Sequence, residues 1–499
     1  MTEREAALES ELKASRIKVD LLEQKVDALI RMLYGAKSEK LDPNQLMLLQ
    51  DLESKKDDAP ALDTEPEAGA NKPPRKTRKS PTRPRVPDHL PVHEEVLDPE
   101  EVKACPEQWR LIGEEVTEQL DYRPGQFSKR RLIRRKFVKV DAPFTPPVIA
   151  PMPACLQERC LATPDLIAQV VISKYVDHLP LYRQEQIYRT RHGVDIPRQT
   201  LCRWTGLAAW WFESIYNEMI RQQNTRTYLQ IDETPIPYLQ PGAGKTGQGY
   251  FWVTSVPDGD VIYHWYPGRG AKYLKKIIDE SFDGTLQCDA YKAYPSFQKQ
   301  RAGPLELAGC WAHVRRKFYE ALALAPGMTR WILHQISLLY LIERRLRESG
   351  AGPSLREAVR RAESAPILER IKKSLFLLKP RYLPKNNLGK AISYALGNWT
   401  DLQVFLFNGA VEIDNNLVEN AIRPTKLGAK NWLFIGSEDS GKTSAIIFTL
   451  IESAKRHGLE PHAYLCELLH RLPQTSNQEI KHLTPEAMAK TRAKQKSAA

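Results

Sequence analysis

The sequence of 499 residues has no long apolar run and few cysteines. No stretch approaches 18 consecutive apolar residues, so no membrane-spanning helix is predicted. Residues 1–5 are charged and no apolar segment follows them, so we expect no signal peptide. The seven cysteines are odd in number, scattered and mostly set among apolar residues, a usage typical of reduced thiols rather than of a disulfide framework. We therefore expect a soluble, cytoplasmic protein with no membrane partner.

Positive charge is in excess and unevenly distributed. The formal net charge is +12 at pH 7, which favours a polyanionic partner over an acidic one. A generally basic surface without such a partner is the alternative. The length is sufficient for three or four folded units.

Heptad spacing marks the N-terminal region. Positions from Leu8 to Leu33 that alternate steps of four and three are apolar except for Ser15, with charges between them, a pattern typical of a two-stranded coiled coil. We expect homodimerisation through residues 8–33, although a helix folded onto its own chain has the same pattern. The linker that follows ends in a Pro-broken basic run, 72–85, which fits either phosphate binding or a solvated tether.

The next two units are predicted to contact DNA. A dense Arg/Lys band over 129–140 favours a basic strand, closed by a Pro-rich connector at 143–153. Beyond it, a helix, a turn at Gly193 and a second helix that Pro197 begins have the form of a helix-turn-helix. Plain helical bundles share that form. The candidate DNA contacts of the second helix are Arg198, Gln199 and Arg203.

From residue 226 the pattern changes to β-strands. Asp232 lies in the apolar, β-favouring run 228–237, and burying a lone carboxylate is costly unless it is paired or holds a metal. A hairpin, a helix, a strand that ends in Asp289, another helix and a fifth strand are predicted to follow. This order is typical of a ribonuclease-H-like core, in which Asp232 and Asp289 would lie side by side.

A third acid completes a candidate metal site. An Asp-Asn-Asn cap at 414–416 begins a helix with Glu419 in its first turns. Two Mg²⁺ ions about 3.5–4 Å apart need shared oxygen ligands. Asp232 would bridge both ions, Asp289 would hold one and Glu419 the other, with Mn²⁺ as a possible substitute. Phosphodiester cleavage is the chemistry that such a centre supports.

Basic residues accompany this site. A helix after the fifth strand begins with His313, Arg315, Arg316 and Lys317, which we interpret as phosphate contacts, a solvated helix face being the alternative. Lys426 would share a face with Glu419 if the helix continued through Pro424.

Six blocks, in order between residues 8 and 473, resemble the large transposase of the insertion sequence 66 family. This resemblance implies a DDE triad of Asp232, Asp289 and Glu419 on a ribonuclease-H-like fold. It also implies an N-terminal leucine zipper, a helix-turn-helix, a helical insertion before the Glu and accessory transposition proteins as partners. The blocks are RMLYGAKSEK (31–40), SKYVDHLPLYRQ (173–184), DETP (232–235), CWAHVRRKF (310–318), DNN with Glu419, and KNWLFIGS (430–437).

One departure concerns zinc. The family usually carries two Cys-x-x-Cys pairs after the linker, but here Cys105 has no partner, and Cys155 and Cys160 are five residues apart. Because a structural zinc needs four ligands, no zinc is expected.

Two rival functions follow from the sequence. Residues 436–443 satisfy the P-loop pattern, with a strand-like run over 432–435 and a helix-like run over 444–454. However, Glu438 and Asp439 would place negative charge in a phosphate-binding loop. The second rival is a non-catalytic, dimeric DNA-binding protein derived from a transposase.

The complete prediction is an α/β multidomain DNA transposase that cleaves and transfers strands at insertion-sequence ends. Its predicted units are a coiled coil (1–50), a disordered basic linker (51–88), a degenerate zinc-finger-like β-rich unit (89–153), a helix-turn-helix-like domain (160–222), a catalytic core in two parts (226–325 and 401–473) around a helical insertion (326–400), and a disordered tail (474–499).

Overall fold

A computed structural model describes most of the chain from residue 153 onward. The predicted coiled coil and linker lie outside the described residues, apart from Val19, which is helical and exposed. The described residues are 153–240, 242, 244–498 and, nearer the N-terminus, 19, 125–130, 136–137 and 148–149.

Two short strands are described in the predicted β-rich unit. Strand β1 (Lys136–Phe137) pairs antiparallel with β2 (Val148–Ile149). Because β2 falls within 143–153, the expectation that this whole stretch is a connector is corrected. Val and Ile favour extended backbone, and they provide two residues able to pair between the prolines.

Three helices precede the main sheet. They are α1 (Pro164–Tyr175), α2 (Leu181–His192) and α3 (Arg198–Gln223). Helix α2 ends at Gly193, whose φ of 64° is the left-handed conformation that glycine adopts readily. The helix, turn and second helix of the prediction are therefore present, and α3 continues for 26 residues.

A mixed five-stranded sheet forms the centre of the described chain. The strands are β3 (Tyr228–Leu239), β4 (Thr246–Ser255), β5 (Val261–Tyr266), β6 (Gly284–Gln287) and β7 (Leu305–Ala308). Their order is β5-β4-β3-β6-β7. The pairs among β3, β4 and β5 are antiparallel, and the β3–β6 and β6–β7 pairs are parallel. Helices α4 (Ala271–Ile277) and α5 (Ala293–Lys299) connect the later strands, which is the predicted order of elements.

The next segment is helical and has its own apolar core. Helix α6 (Trp311–Glu320) packs with α7 (Pro326–Glu348), α8 (Pro353–Val359), α9 (Ala365–Leu378), α10 (Asn387–Gly397) and α11 (Trp399–Phe407). The helices extend seven residues beyond the predicted boundary at 400. A π-helical turn, Arg360–Ser364, joins α8 to α9.

Arg360 is fully buried and fastens this segment to the chain that follows. Its guanidinium makes two hydrogen bonds of 2.7 Å to Glu343 and donates to the carbonyls of Phe405, Asn408 and Val411. A buried charge is tolerated only when it is paired and fully hydrogen-bonded. Arg360 meets both conditions, so the turn after α11 is held in one position.

Two long helices complete the layer beside the sheet. Helix α12 (Asn416–Trp432) continues through Pro424, and α13 (Glu438–Arg456) packs on β5. β5 is an edge strand, whose free N–H groups would otherwise be buried without acceptors. The hydroxyls of Thr449 and Ser453 accept from Tyr263 N and Val261 N at 2.9 Å. These two side chains therefore provide hydrogen-bond acceptors for two N–H groups at the edge of the sheet.

The C-terminal region is folded, which corrects the expected disordered tail over 474–499. Helix α14 (Pro461–Arg471) is followed by two 3₁₀ turns and α15 (Pro485–Ala498). Ile480, Leu483 and Met488 are buried. The composition of this region is dominated by Lys, Gln and Ala, and a few apolar residues among them are too few to indicate a folded segment.

Within the described residues, no helix is long and apolar enough to cross a membrane.

Candidate active site

Asp232 lies on β3, and Asp289 follows the end of β6, the parallel neighbour of β3, by two residues. In the β3–β6 register, Gln230 pairs with Gln287, and each acid follows its glutamine by two residues. Because side chains alternate with period two along a strand, both acids lie on the same face as the glutamines. Both are partly buried, so the site remains accessible to solvent.

Glu419 comes from the first turn of α12. Its side chain is 22% exposed, and its Oε1 is a buried atom that has no hydrogen-bond partner among the residues the structure describes. His313 of α6 lies beside it, with Nδ1 3.6 Å from Oε1, and Arg316 Nη2 lies 3.5 Å from Oε2. Two predicted basic residues thus border the third acid.

The charges of several acids converge on Asp232. Burial raises the pKa of the Asp232 carboxyl well above its usual range, and the negative charges of Glu233, Glu419 and Asp289 raise it further. Its Oδ1 accepts one backbone hydrogen bond, from Glu233 N at 2.9 Å, which opposes that shift. A carboxylate surrounded by like charges attracts a proton or a cation.

Glu233 faces the other side of β3, because successive side chains alternate along a strand. Its side chain is fully buried, where Arg269 and the hydroxyl of Tyr294 both donate to it. Burial raises the pKa of Glu233, which these two donors oppose. Glu233 therefore has its own hydrogen-bond donors and is not counted with the three acids of the site.

Two buried glutamines hold the segment that leads to Glu419. Gln230 and Gln287 are fully buried. Gln230 Nε2 donates to the carbonyl of Asp414 at 2.9 Å, and Gln287 Nε2 donates to that of Glu412 at 2.8 Å. The sheet face that carries the two aspartates thereby also fixes the chain just before α12.

The sequence interpretation missed these glutamines. Each lies two residues before an acid in an otherwise apolar strand, which places it on the acid's face. A buried polar side chain needs partners, so this spacing was a usable signal.

Asp414 has a structural role at the start of α12. Its Oδ2 accepts from the Tyr340 hydroxyl and from Asn416 Nδ2, both at 2.8 Å, and its Oδ1 accepts from Asn416 N at 3.1 Å. Tyr340 belongs to α7, so the helical segment contributes directly to the position of Glu419.

Cys310 and His313 form a second possible ligand set with Glu419. One sulfur, one ring nitrogen and one carboxylate oxygen lie within 4.8 Å of one another. Burial lowers the pKa of His313 and raises that of Cys310. Both groups are therefore held in their neutral forms.

The basic residues of α6 diverge. Successive side chains on a helix are about 100° apart, so three neighbours cannot form one patch. Arg316 lies beside Glu419, and Lys317 Nζ lies 4.6 Å from the ring centre of Tyr394. Arg315 is half-buried, and its charge acts on the Tyr340 hydroxyl.

Lys426 lies on the same helix as Glu419, because α12 does continue through Pro424. Its Nζ donates to the carbonyl of Pro235 on β3 at 2.8 Å. Lys426 thus joins α12 to the strand that carries Asp232. The expected shared face is present, and the amine already has a backbone partner.

The predicted contacts of α3 lie at its exposed N-terminal end. Arg198, Gln199 and Arg203 are all exposed. Arg198 N donates to Glu185 of α2 at 3.3 Å, and Arg203 Nη2 donates to Thr200 at 3.3 Å. The rest of α3 packs on one side against α13 and α1, and its other side is exposed further along the helix as well, for example at Trp210.

The P-loop pattern does not form a phosphate-binding loop. Helix α13 begins at Glu438, so Gly441, Lys442 and Thr443 are helical. A side chain at Gly441 would collide with the Trp265 ring, so this glycine permits helix–strand packing. Of the run 432–435, expected to be a strand, only Ile435 makes a β-bridge, to Tyr238.

Comparison with known proteins assigns the class. Residues 159–443, more than half of the chain, match a family model described as "Transposase IS66 family". Residues 449–485 match the "IS66 C-terminal element", and residues 21–94 match "Transposase C of IS166 homeodomain". The mixed sheet with its grouped acids and these matches together define a DNA transposase. The chain belongs to the IS66 transposase family.

Two relatives come from Sinorhizobium fredii (strain NBRC 101917 / NGR234). The chain is 34% identical over 485 residues to "Uncharacterized protein y4jD", covering 92% of each chain. It is 35% identical over 406 residues to "Uncharacterized protein y4qI", covering 77% of this chain and 73% of the relative.

Proposed function

We propose that this protein cleaves and transfers DNA strands at the ends of its element, using Asp232, Asp289 and Glu419 as the ligands of two Mg²⁺ ions. The observation that carries the proposal is the convergence of Asp289 and Glu419 on the carboxyl of Asp232. Acids gathered in one place repel one another unless protons or cations neutralise them. Here three come together from β3, from the chain just after β6 and from the start of α12, on one accessible side of the sheet.

The residues fit a divalent cation. The three acids offer hard carboxylate oxygens, the donor type that Mg²⁺ and Mn²⁺ prefer. Within the described part of the chain, Glu419 Oε1 is a buried oxygen without a hydrogen-bond partner, a state costly for an anion unless a cation binds it. When bound, two such ions activate the attacking oxygen and stabilise the leaving oxygen of an in-line displacement.

The chain's own groups hold and orient the carboxylates. Gln230 and Gln287 fix the segment before α12 on the sheet, and Tyr340 fixes its Asp414 cap. Arg316 is half-exposed beside Glu419, where its guanidinium is available to a DNA phosphate. Catalysis by such a centre depends on this fixed geometry.

The sheet supports a ribonuclease-H-like core. Three antiparallel strands continue into two parallel ones, in the order β5-β4-β3-β6-β7. The first acid lies on the central strand and the second just after its parallel neighbour, which is the relation inferred from the sequence.

DNA contacts and assembly belong to the same proposal. Arg198, Gln199 and Arg203 would contact the ends of the element, and Arg316, beside Glu419, and Lys426, on the same helix face as Glu419, would lie along the cleaved strand. Dimerisation through residues 8–33 and cooperation with accessory transposition proteins are further parts of it.

The test separates binding from cleavage. Purified protein with Mg²⁺ should cut duplexes that carry the two ends of the element encoding this chain. Asp232→Asn should bind the same duplexes and leave them intact. Cleavage by the variant at the wild-type rate would refute the assignment, and a wild-type protein that binds without cutting would favour the non-catalytic alternative.

A further inference from the structure

Helix α12 ends in a strained turn. Leu433 has φ 66° and ψ −46°, and Phe434 N donates to the carbonyl of Trp432 at 2.7 Å. A bond between residues two apart, around a residue of positive φ, defines the rarer and more strained kind of γ-turn. A leucine seldom adopts this backbone conformation, and strain of this kind gathers at functional sites.

The turn is fixed on both sides. Leu433 N donates to Ala429 O at 2.8 Å, which completes α12. Two residues later, Ile435 is buried and pairs with β3 through Ile435 N to Pro237 O at 2.9 Å and Leu239 N to Ile435 O at 2.8 Å. The strain is therefore held by a rigid helix and a central strand.

This turn presents two large apolar side chains to solvent. Leu433 is 66% exposed and Phe434 is 38% exposed. An adjacent pair of exposed apolar residues on a rigid turn gives the folded chain less packing energy than a buried pair would. Such a pair gains free energy only when another surface covers it.

A line of charged residues connects the turn to the candidate active site. Glu419, Arg423, Lys426 and Lys430 follow one another at steps of four, three and four along α12, so they share one face of the helix. Arg423, Lys426 and Lys430 are exposed. Leu433 comes three residues after the last cation, at the far end of this face.

The spacing suits a DNA strand. Fourteen residues of helix at about 1.5 Å each place Leu433 about 21 Å from Glu419. Successive base pairs rise by about 3.4 Å, so this span corresponds to roughly six base pairs. Three cations along it match the phosphates of a strand that leaves the active site.

The acids near the turn have partners. Asp439 lies 3.9 Å from Lys442, and Glu438 accepts from the Tyr238 hydroxyl at 3.5 Å. Both acids belong to the first turn of α13, where negative charge is stabilised by the helix dipole. The face that leads from Glu419 to the turn therefore remains positive.

We propose that Leu433, supported by Phe434, is a wedge that enters a base step of the DNA bound along α12. This proposal rests on the proposed function of the three acids. It adds a site that distorts the bound DNA, which the acids alone do not provide. Insertion of an apolar side chain partly unstacks one step and bends the duplex. The positive face selects DNA over an apolar protein surface as the occupant.

The experiment uses full-length protein in EDTA with duplexes that carry the element's ends. 2-Aminopurine, whose fluorescence rises when its stacking is lost, is placed at successive positions. We expect a severalfold rise at one step, about six base pairs from the scissile phosphate, and little change elsewhere. Absence of a rise at every position overturns the wedge.

The variants separate the wedge from folding. Leu433→Gly relieves the positive φ, so it should unfold at the same or a higher temperature while losing the fluorescence rise. Leu433→Met keeps an apolar side chain and should retain the rise. Leu417→Ala is the matched control, because Leu417 is an exposed leucine of the same helix and, two residues before Glu419, lies on the side opposite the charged face.

The outcomes distinguish the two proposals. A wild-type protein that cleaves in an Asp232-dependent way without unstacking overturns the wedge alone. Unstacking that depends on Leu433, together with cleavage that survives Asp232→Asn, overturns the catalytic assignment alone. Loss of self-association in Leu433→Gly without DNA, measured by sedimentation, would show that the turn contacts a second copy and would overturn the wedge.

Discussion

The guanidinium of Arg269 lies beside the carboxylate of Asp289, with Nη2 3.8 Å from Oδ2. The same side chain donates to the buried Glu233 and stacks on Tyr291, with its central carbon 3.7 Å from the ring centre. Tyr291 N in turn donates to Asp289 Oδ1 at 2.9 Å. Arg269 therefore couples the residue after Asp232 to the second acid of the site.

Replacing Arg269 should leave a buried charge unpaired. Arg269→Met is expected to lower the free energy of unfolding by roughly 1–3 kcal/mol, the cost of a lost charged hydrogen bond, with partial solvent screening because Arg269 is 36% exposed. Urea unfolding measures the loss. Adding Glu233→Gln removes the unpaired charge and should restore part of the stability, so a double variant less stable than Arg269→Met would contradict the pairing.

Because the pKa of Asp232 is raised, replacing Asp232 by its neutral analogue Asn should increase the stability of the fold by an amount that depends on pH. The folded-state pKa lies above the ordinary value of 3.8, so the unfolded chain loses its proton first as the pH rises. The stability contributed by Asp232 is therefore present below pH 3.8 and is lost as the pH rises through the folded-state pKa. Without metal, Asp232→Asn should be more stable than wild type at pH 8, and the difference should shrink towards pH 5.

Thermal unfolding in EDTA across that pH range measures this difference. Millimolar Mg²⁺ should then raise the melting temperature of wild type more than that of Asp232→Asn, because a cation that binds only the folded state stabilises it. A variant less stable than wild type at every pH would contradict the crowding of charges at Asp232.

The glutamine network should matter for both stability and cleavage. Gln287→Leu removes the donor to Glu412 O and the acceptor for the Tyr228 hydroxyl. We expect a loss of about 2–3 kcal/mol from the unpaired groups, measured by urea unfolding, and slower DNA cleavage because the segment before Glu419 shifts. Gln298→Leu is the control: Gln298 donates to Leu305 O away from the acids and should leave the cleavage rate unchanged.

The hydrogen bond by which Thr449 caps the edge of strand β5 can be tested with an isosteric substitution. Thr449→Val removes the hydroxyl that accepts from Tyr263 N and should cost roughly 1–3 kcal/mol, since the N–H remains buried. Thr443 lies on the same helix, and its hydroxyl makes no hydrogen bond to a strand among the described residues, so Thr443→Val should change the unfolding free energy little. Equal effects in urea unfolding would refute the edge-capping role of Thr449.

Some of the site could be inferred from sequence because its residues break local rules. A carboxylate in an apolar strand, an acid closing another strand and an acid opening a capped helix pointed to Asp232, Asp289 and Glu419. Their roles remain a proposal, but the structure brings the three charges together. The order of strands and helices around them was predictable from the change between the strand and helix periods.

Other features depend on contacts that no local pattern records. In the sequence, Leu433 belongs to an apolar run with no sign of a turn. Its positive φ arises because α12 and β3 fix both ends of the turn. Leu483 was hidden in a polar tail and is buried beside Tyr464, whose hydroxyl donates to its carbonyl at 2.8 Å. Gly441 matches the P-loop motif, but a glycine is required there because a side chain would collide with the ring of Trp265.

Metal ligation by Asp232 is tested most directly by changing the atom offered to the metal. Asp232→Cys replaces a hard oxygen by a softer sulfur, which binds Mg²⁺ poorly and Mn²⁺ better. Asp279→Cys is the control, because Asp279 is an exposed acid that precedes β6, whereas Asp289 follows it, and its Oδ1 accepts from Ser281 N at 2.8 Å. We predict that Asp232→Cys leaves the element's ends uncut in Mg²⁺ and regains cleavage in Mn²⁺, while Asp279→Cys shows no such metal preference. Equal inactivity of Asp232→Cys in both metals, or equal activity in both, would contradict the account.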